Sequence, residues 1–319
     1  MPRGKAVRAN TSPEIDGILV VDKETGPTSH DVVASVRRLI GQRRVGHCGT
    51  LDPLATGVLV VCLGRYTRLS QWLGNEDKEY LATFVLGQTS TTGDAQGELA
   101  PGSGQPLPAT QALREALGRL EGSRLQTPPA YSAVKVNGVP SYRLAREHEA
   151  VALAPRRVQV QSAELLTYEP PQVTVRVHCG KGTYVRALAD ELGADLGCGA
   201  YVAALRRLRA GALGLDRAMT LKQLAAELDG GTLQRVLVPV VEALAGLPQA
   251  EVGSEARRAF CHGNPVAAAD LGSERAGSVA VFADGVFCGI GSWDSSGRWL
   301  APRAVLADSD RASGAAAGG

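Results

Sequence analysis

Residues 46–57 read Gly46-His47-Cys48-Gly49-Thr50-Leu51-Asp52-Pro53-Leu54-Ala55-Thr56-Gly57, and Val58-Leu59-Val60-Val61-Cys62-Leu63 follows at once. The second run is short, apolar and rich in β-branched residues between Gly57 and Gly64, the pattern of a buried strand. The edge of that strand therefore carries a loop with one carboxylate, Asp52. Pro53 disfavours helical geometry at Asp52, and a strand-edge loop is a rigid mount for a single reactive group. Taken alone, an Asp-Pro step closes an Asx turn.

Around this stretch the periodicity is clear. Gly17 to Val21 reads as a strand, Lys23 to Pro27 as a turn, and Ser29 onward as a helix with Val32, Val33, Val36, Leu39 and Ile40 on one face. Lys78 to Gly87 alternates, with Tyr80, Ala82, Phe84 and Leu86 set against Leu81, Thr83 and Val85, which predicts a half-buried strand. Residues 87–104 are polar and glycine-rich and predict a long loop. Thr110 to Leu120 predicts a helix on Leu113, Leu117 and Leu120. Ala130 to Val136 with Asn137-Gly138 reads as half a hairpin, followed by a short helix to about Glu149. Arg157 to Thr167 and Gln172 to Cys179 read as paired strands and Thr183 as the N-cap of a helix to Leu196, while Tyr201 to Leu208 fits either a strand or a helix, the strand being preferred. Strands separated by single helices, without a βαβ rhythm, predict an α+β fold on a mixed, largely antiparallel sheet.

Beyond Leu247-Pro248, a helix from Ser254 to His262 and strands Ser278–Phe282, Val286–Ser292 and Trp299–Val305 predict a small C-terminal β-rich module, two of its strands joined through Asp284-Gly285. The expected organisation is an N-terminal arm (1–16), a core domain (17–247), the terminal module (248–307) and an Ala/Gly/Ser-rich tail (308–319). Arm and tail are expected to be disordered.

With 319 residues there is room for about two domains and a core that needs no staple. No apolar run approaches the roughly 18 residues of a membrane span, and the first sixteen residues lack a signal-peptide core, so no membrane association and a cytoplasmic location are expected. The six cysteines follow no C-x-x-C spacing; they read as reduced thiols, and no metal is expected. A net charge of +2 does not mark a nucleic-acid binder. The arginines are nonetheless clustered, as Arg37 with Arg38, Arg43 with Arg44, Arg143 with Arg146, Arg156 with Arg157, and Arg206, Arg207 and Arg209. Such groups form solvated faces or line a phosphate track.

Further blocks accompany the Asp52 loop. They are Gly17-Ile18-Leu19-Val20-Val21-Asp22-Lys23 with Gly26-Pro27-Thr28-Ser29-His30-Asp31, Lys78-Glu79-Tyr80, Leu86-Gly87-Gln88-Thr89-Ser90-Thr91-Thr92-Gly93-Asp94, Pro128-Pro129-Ala130-Tyr131-Ser132-Ala133-Val134-Lys135, and Cys179-Gly180-Lys181-Gly182-Thr183-Tyr184-Val185-Arg186. In kind and order these resemble the TruB-type tRNA pseudouridine synthases over nearly the whole chain. The terminal module resembles the shortened PUA-like RNA-binding domain of some members.

The resemblance implies an α+β pseudouridine-synthase core and an enzyme that isomerises uridine to pseudouridine in tRNA, at uridine 55 of the T-loop. The base must be cut from its sugar, turned and rejoined through C5 without redox change, so no cofactor is expected. Asp52 would be the nucleophile, Tyr80 the ring that stacks on the base and takes the C5 proton, and Arg186 the partner of Asp52. Tyr184 and Leu205 would line the uracil pocket. A uridine in a folded loop must leave its stack at a cost of a few kcal/mol. His47 would fill the gap, where base–aromatic stacking of roughly 1–3 kcal/mol offsets much of that cost. Lys23 and Lys135 are candidate phosphate contacts, and residues 127–154 resemble an RNA-gripping insertion. The expected partner is tRNA through its T-arm, bound by a monomer with no obligate protein partner.

Three rival readings remain at this level. Ser132-Ala133-Val134-Lys135 is the S-x-x-K of Ser/Lys acyl hydrolases, although the S-D-N and K-T-G companions are missing. A guide-RNA-dependent synthase working in a ribonucleoprotein is the second; the 127–154 insertion favours the stand-alone type. A non-catalytic RNA-binding protein is the third.

Overall fold

The computed structural model describes residues 14–146, 153–267 and 277–307. The expected N-terminal arm (apart from residues 14–16), the end of the helix expected to reach Glu149, and the expected tail lie outside the described residues. The Val58–Leu63 run lies in a strand, Thr56–Leu63, buried along all but its first residue. Among the described residues it belongs to a nine-stranded sheet. The order is Gly17–Lys23, Thr56–Leu63, Ala200–Ala210, Lys78–Leu86, Gln172–Cys179, Arg156–Glu169 and Gly122–Gln126, with Val45–Cys48 paired to Thr56–Leu63 and Leu213–Gly214 to Ala200–Ala210. Its pairings are antiparallel except for the parallel contact of Thr56 and Gly57 with Arg206 and Arg207. The mixed, largely antiparallel α+β reading holds.

Local chemistry explains the elements that position the loop. Lys78–Leu86 alternates buried and half-buried residues along its whole length, as its sequence does. Helix Ser29–Ile40 starts in a reciprocal capping box between Thr28 and Asp31 and ends at Gly41 in the left-handed region. Val32, Val33 and Val36 bury its inner face, while Leu39, expected there too, is exposed in the last turn.

Several expectations need correction. Residues 87–104 are not a plain loop: Gln88–Ser90 pairs with Leu99–Pro101, and Asp94 bridges to Val202. The helix expected from Thr183 runs Val185–Asp195, with no side-chain cap bond. The Thr183 hydroxyl instead donates to the Gly180 carbonyl at 3.0 Å and closes the preceding turn. Helix Leu221–Asp229 is an addition to the expected elements, although Thr220 and Gln223 form a capping box visible in the sequence as T-x-x-Q.

The terminal β-rich sheet runs Gln249–Glu251, Ser278–Ala283, Val286–Trp293, Trp299–Val305 and Val266–Ala267. Asp284 and Gly285 both have positive φ, the geometry of a tight I′ hairpin turn. One face of this sheet is not free. Phe282, Phe287 and Ile290 share an apolar core with Leu69, Trp72 and Leu73, the Tyr66 and Phe287 rings meet edge-on at 6.2 Å, and Arg68 Nη1 donates to the Val305 carbonyl at 2.6 Å. Among the described residues no helix is long and apolar enough to cross a membrane.

Candidate active site

The Asp52 loop is clamped from within. The Ser29 hydroxyl donates to the Leu51 carbonyl (3.0 Å) and accepts from the Leu51 amide (2.8 Å), while Gly26 N donates to the Pro53 carbonyl at 2.8 Å. Lys23, expected at a phosphate, instead belongs to this clamp. It is 1% exposed, and its ammonium donates to the carbonyls of Ala55 (2.6 Å), Glu24 (3.0 Å) and Pro53 (3.2 Å). All three donors are spent, and burial lowers its pKa to about 8 against the pull of Asp52.

Arg186, in the first turn of helix Val185–Asp195, is 3% exposed. Its Nη2 donates to Asp52 Oδ1 at 3.2 Å and to the Tyr131 carbonyl at 2.8 Å, and its Nη1 to the Thr92 carbonyl at 2.9 Å. Nε lies 2.9 Å from Asp52 Oδ2 but out of line, an ion-pair contact rather than a formed hydrogen bond. Asp94, buried and 3.7 Å from the same Nε, is a second acid on this arginine, and it accepts from the Thr92 hydroxyl (2.6 Å) and the Gln96 amide (3.0 Å). Desolvation pushes the Asp52 carboxyl above its usual range, and Arg186 works against it. The side chain keeps 31% of its surface open, so the acid is sunk between its walls yet reachable.

Asp52, Arg186, Tyr80, Tyr184 and Leu205 come together around one cavity of about 240 Å³, joined by Lys78 and Arg207. Tyr80 and Leu205 are nearly buried; Tyr184 is half-buried, its backbone held by the Gln126 side chain at 2.8 and 3.3 Å. Burial raises the Tyr80 pKa, and the neighbouring charge of Arg207 opposes that. His47 stands on Val45–Cys48 with the edge of His30 against its ring at 5.2 Å. Burial, His30 and Arg207 lower the His47 pKa to about 4, so the ring is neutral at physiological pH. Lys135 lies on the exposed Lys135–Val136 hairpin, outside this cavity. A second cavity of about 780 Å³ opens on the other side of the Asp52–Arg186 pair, lined by Thr92, Gln96, Glu98 and Tyr142.

The family profile described as TruB family pseudouridylate synthase (N terminal domain) matches residues 37–185. The tRNA pseudouridylate synthase B C-terminal domain matches 186–245, and Pseudouridine synthase II TruB, C-terminal, matches 248–306. The tRNA pseudouridine synthase B of Pseudomonas aeruginosa (strain UCBPP-PA14) is 42% identical over 92% of this chain and 96% of its own. The chain belongs to the TruB family of pseudouridylate synthases.

The enzyme of the same name from Syntrophotalea carbinolica is 46% identical over 79% of this chain and 82% of its own. Among solved structures, a Cbf5-Nop10-Gar1 complex aligns with a TM-score of 0.75 at 27% identity, covering 92% of this chain and 86% of that one. A box H/ACA ribonucleoprotein bound to a substrate RNA containing 2′-deoxyuridine aligns with a TM-score of 0.73 at 26% identity over the same shares.

In this TruB-family chain the Ser/Lys dyad is not assembled. Ser132 is buried, its Oγ lies 3.0 Å from the Ser141 hydroxyl, and Lys135 sits on the exposed hairpin. The arginine cluster 206–209 does not face outward as a unit: Arg206 pairs with Asp22 at 2.8 Å, and Arg207 is buried. Sequence reasoning assigns no role to Asp94 or Lys78, although both stand in the quoted blocks. Among the described residues no cluster of three or more His, Cys, Asp or Glu side chains could hold a metal ion.

Proposed function

We propose that this TruB-family enzyme isomerises uridine in tRNA, at uridine 55 of the T-loop, with Asp52 as nucleophile toward a flipped-out nucleotide. The observation that carries this reading is the buried Arg186 holding Asp52 at the wall of a cavity shared with Tyr80, Tyr184 and Leu205. An adjacent guanidinium keeps a sunken carboxylate ionised and aimed. The tRNA substrate is supported by the names of relatives 40–46% identical to this chain. Tyr80 stacks on the base and accepts the C5 proton once C5 has joined the sugar. Loss of that proton restores the conjugated ring, so a weak acceptor suffices. The 127–154 segment grips the RNA: its Tyr131 carbonyl is bound to Arg186, and Tyr131 and Ser132 line the larger cavity.

The enzyme acts as a cytoplasmic monomer, without guide RNA or protein partner. Pseudouridine mapped by mass spectrometry in unmodified tRNA, after incubation with the protein alone, is expected at uridine 55 only. Absence of product until a guide RNA is supplied would move the chain to the ribonucleoprotein type.

His47 takes the place vacated in the RNA stack. His47→Ala is expected to raise KM for tRNA by the equivalent of about 1–3 kcal/mol of lost stacking, with His47→Phe recovering most of it. Equal KM values for wild type and His47→Ala would leave His47 as a turn residue. The 248–307 module adds phosphate contacts. Deleting residues 248–319 is expected to lower the slope of log K against log salt by roughly 0.7–0.9 for every phosphate that the module neutralises. It also uncovers Leu69, Trp72 and Leu73, so the melting temperature falls as well. A lower melting temperature with an unchanged salt slope would make the module a buttress only.

A further inference from the structure

Among the described residues Arg207 is the largest fully buried side chain. Its Nε donates to the Val58 carbonyl at 2.6 Å and its Nη2 to the Gly49 carbonyl at 3.1 Å. Among the described residues no carboxylate oxygen lies within 4.0 Å of it. A guanidinium buried without a counter-ion is costly, and folds keep such groups where the charge has a use.

The loop motif is built around this side chain. Gly57 has φ +95°, and a Cβ there would lie 2.2 Å from the Arg207 carbonyl oxygen, so only glycine lets strand Thr56–Leu63 lie against Arg207. The acceptor carbonyl of Gly49 is three residues before Asp52. On its other side Arg207 is the direct cross-strand partner of Tyr80, and both line the smaller cavity. The other ionisable groups facing it are Lys78, Cys179, Lys23 and His47. Lys78 places two of its three donors on the Gly74 and Glu76 carbonyls, and Lys23 places all three on the loop. The charges acting on Asp52 are those of Arg186, Asp94 and Lys23. The cavity thus holds one ion pair, Asp52 with Arg186, and two buried cations without a carboxylate of the described residues within 4.0 Å, Lys78 and Arg207; of these Arg207 is the more deeply buried and is the direct cross-strand partner of Tyr80.

We propose that Arg207 is a catalytic residue that stabilises the uracil anion released when the glycosidic bond breaks. This rests on the reading of Asp52 given above. When C1′–N1 breaks, its electron pair leaves with the base, giving a uracil monoanion with charge over N1, O2 and O4. An oxygen of the Asp52 carboxylate supplies the pair that C1′ loses. C5 of the anion then attacks C1′ and displaces Asp52, the C5 proton passes to Tyr80 and on to solvent, and N1 takes a proton from solvent. Bonds, protons and charge balance with no redox step. A fixed cation in a closed, water-poor site stabilises the separated anion most, and so acts on the bond-breaking step.

The test compares two leaving groups. Single-turnover cleavage is followed with T-arm RNA carrying uridine or 5-fluorouridine at the target, the fluorinated base being the better leaving anion. Arg207→Gln is expected to slow uridine cleavage about a hundred- to a thousandfold, as loss of a preorganised donor does. The loss on 5-fluorouridine should be at least tenfold smaller, and Arg207→Lys, which keeps the charge, should lie between. The ratio is read within one protein sample, so a fraction of misfolded protein cancels. Equal losses on both substrates would overturn the proposal and leave Arg207 as a clamp of the Asp52 loop. Should neither variant fold, the unmodified enzyme decides: anionic 5-nitrouracil should inhibit it at least tenfold more strongly than neutral uracil, and equal inhibition overturns the proposal. An active Asp52→Asn would instead overturn the underlying reading, whatever Arg207 does.

Discussion

Asp52→Asn is expected to fold, to bind tRNA and to form pseudouridine at least about a thousandfold more slowly than the wild type, since removing a covalent nucleophile costs orders of magnitude. The amide keeps the size of the side chain and can still accept from Arg186, while the anchors of the loop are Ser29, Gly26 and Lys23, none of which involves the carboxylate. Binding and melting should therefore move little while turnover collapses. The pH profile gives an independent reading. The reactive form is the carboxylate, so kcat/KM falls as pH drops through the Asp52 pKa, and burial places that acid limb above the range of a free aspartate. Weakening the ion pair with Arg186→Lys should move the limb higher still, because the point charge loses the forked contact. Single-turnover rates and tRNA binding measured on the same preparations check this. Activity of Asp52→Asn within about tenfold of wild type would remove Asp52 from the chemistry.

Tyr80→Phe is the second large effect. General-base contributions are typically about 10²–10⁴-fold, and a loss of that size is expected with tRNA affinity unchanged. The ring is retained in the same buried strand face, so the proposed stacking on a base is kept. Only the hydroxyl, which lies close enough to Arg207 to feel its charge, disappears. If Tyr80 takes the C5 proton, the lost rate appears after glycosidic cleavage. Release of tritium from 5-³H-uridine in T-arm RNA should then slow far more than the disappearance of uridine. Slowing of both by one factor would place Tyr80 with Arg207 at bond breaking, and full activity would leave it a stacking ring.

The two variants bear on different steps, as the geometry suggests they should. Asp52 lies on a clamped loop between the two cavities, whereas Tyr80 lies on the central sheet across from Arg207. In the proposed reaction the sheet serves as the floor for the base, and the loop brings Asp52 over it toward the sugar.

Much of the framework is legible locally. The unbroken apolar run at Val58–Leu63, the alternation of Lys78–Leu86 and the Thr28/Asp31 cap each express a force acting within a few residues, so the chain displays them without tertiary knowledge. Asp52, Tyr80 and Arg186 stand out through family resemblance, since no periodicity links an arginine to an aspartate 134 positions away. Where side chains point is decided by packing. Lys23 looks like any lysine after a strand, yet the Pro53–Ala55 backbone closes over it and takes two of its three donors, the third going to the Glu24 carbonyl. Thr183 reads as a cap, but the turn at Gly180 claims its hydroxyl first. Arg207 reads as one member of a basic cluster. Only the approach of three strands, permitted by Gly57, buries it against Tyr80 and the Gly49 carbonyl. Local forces determine which elements form; which charged group ends up buried depends on contacts between segments far apart in the chain, and those exist only once the sheet has closed.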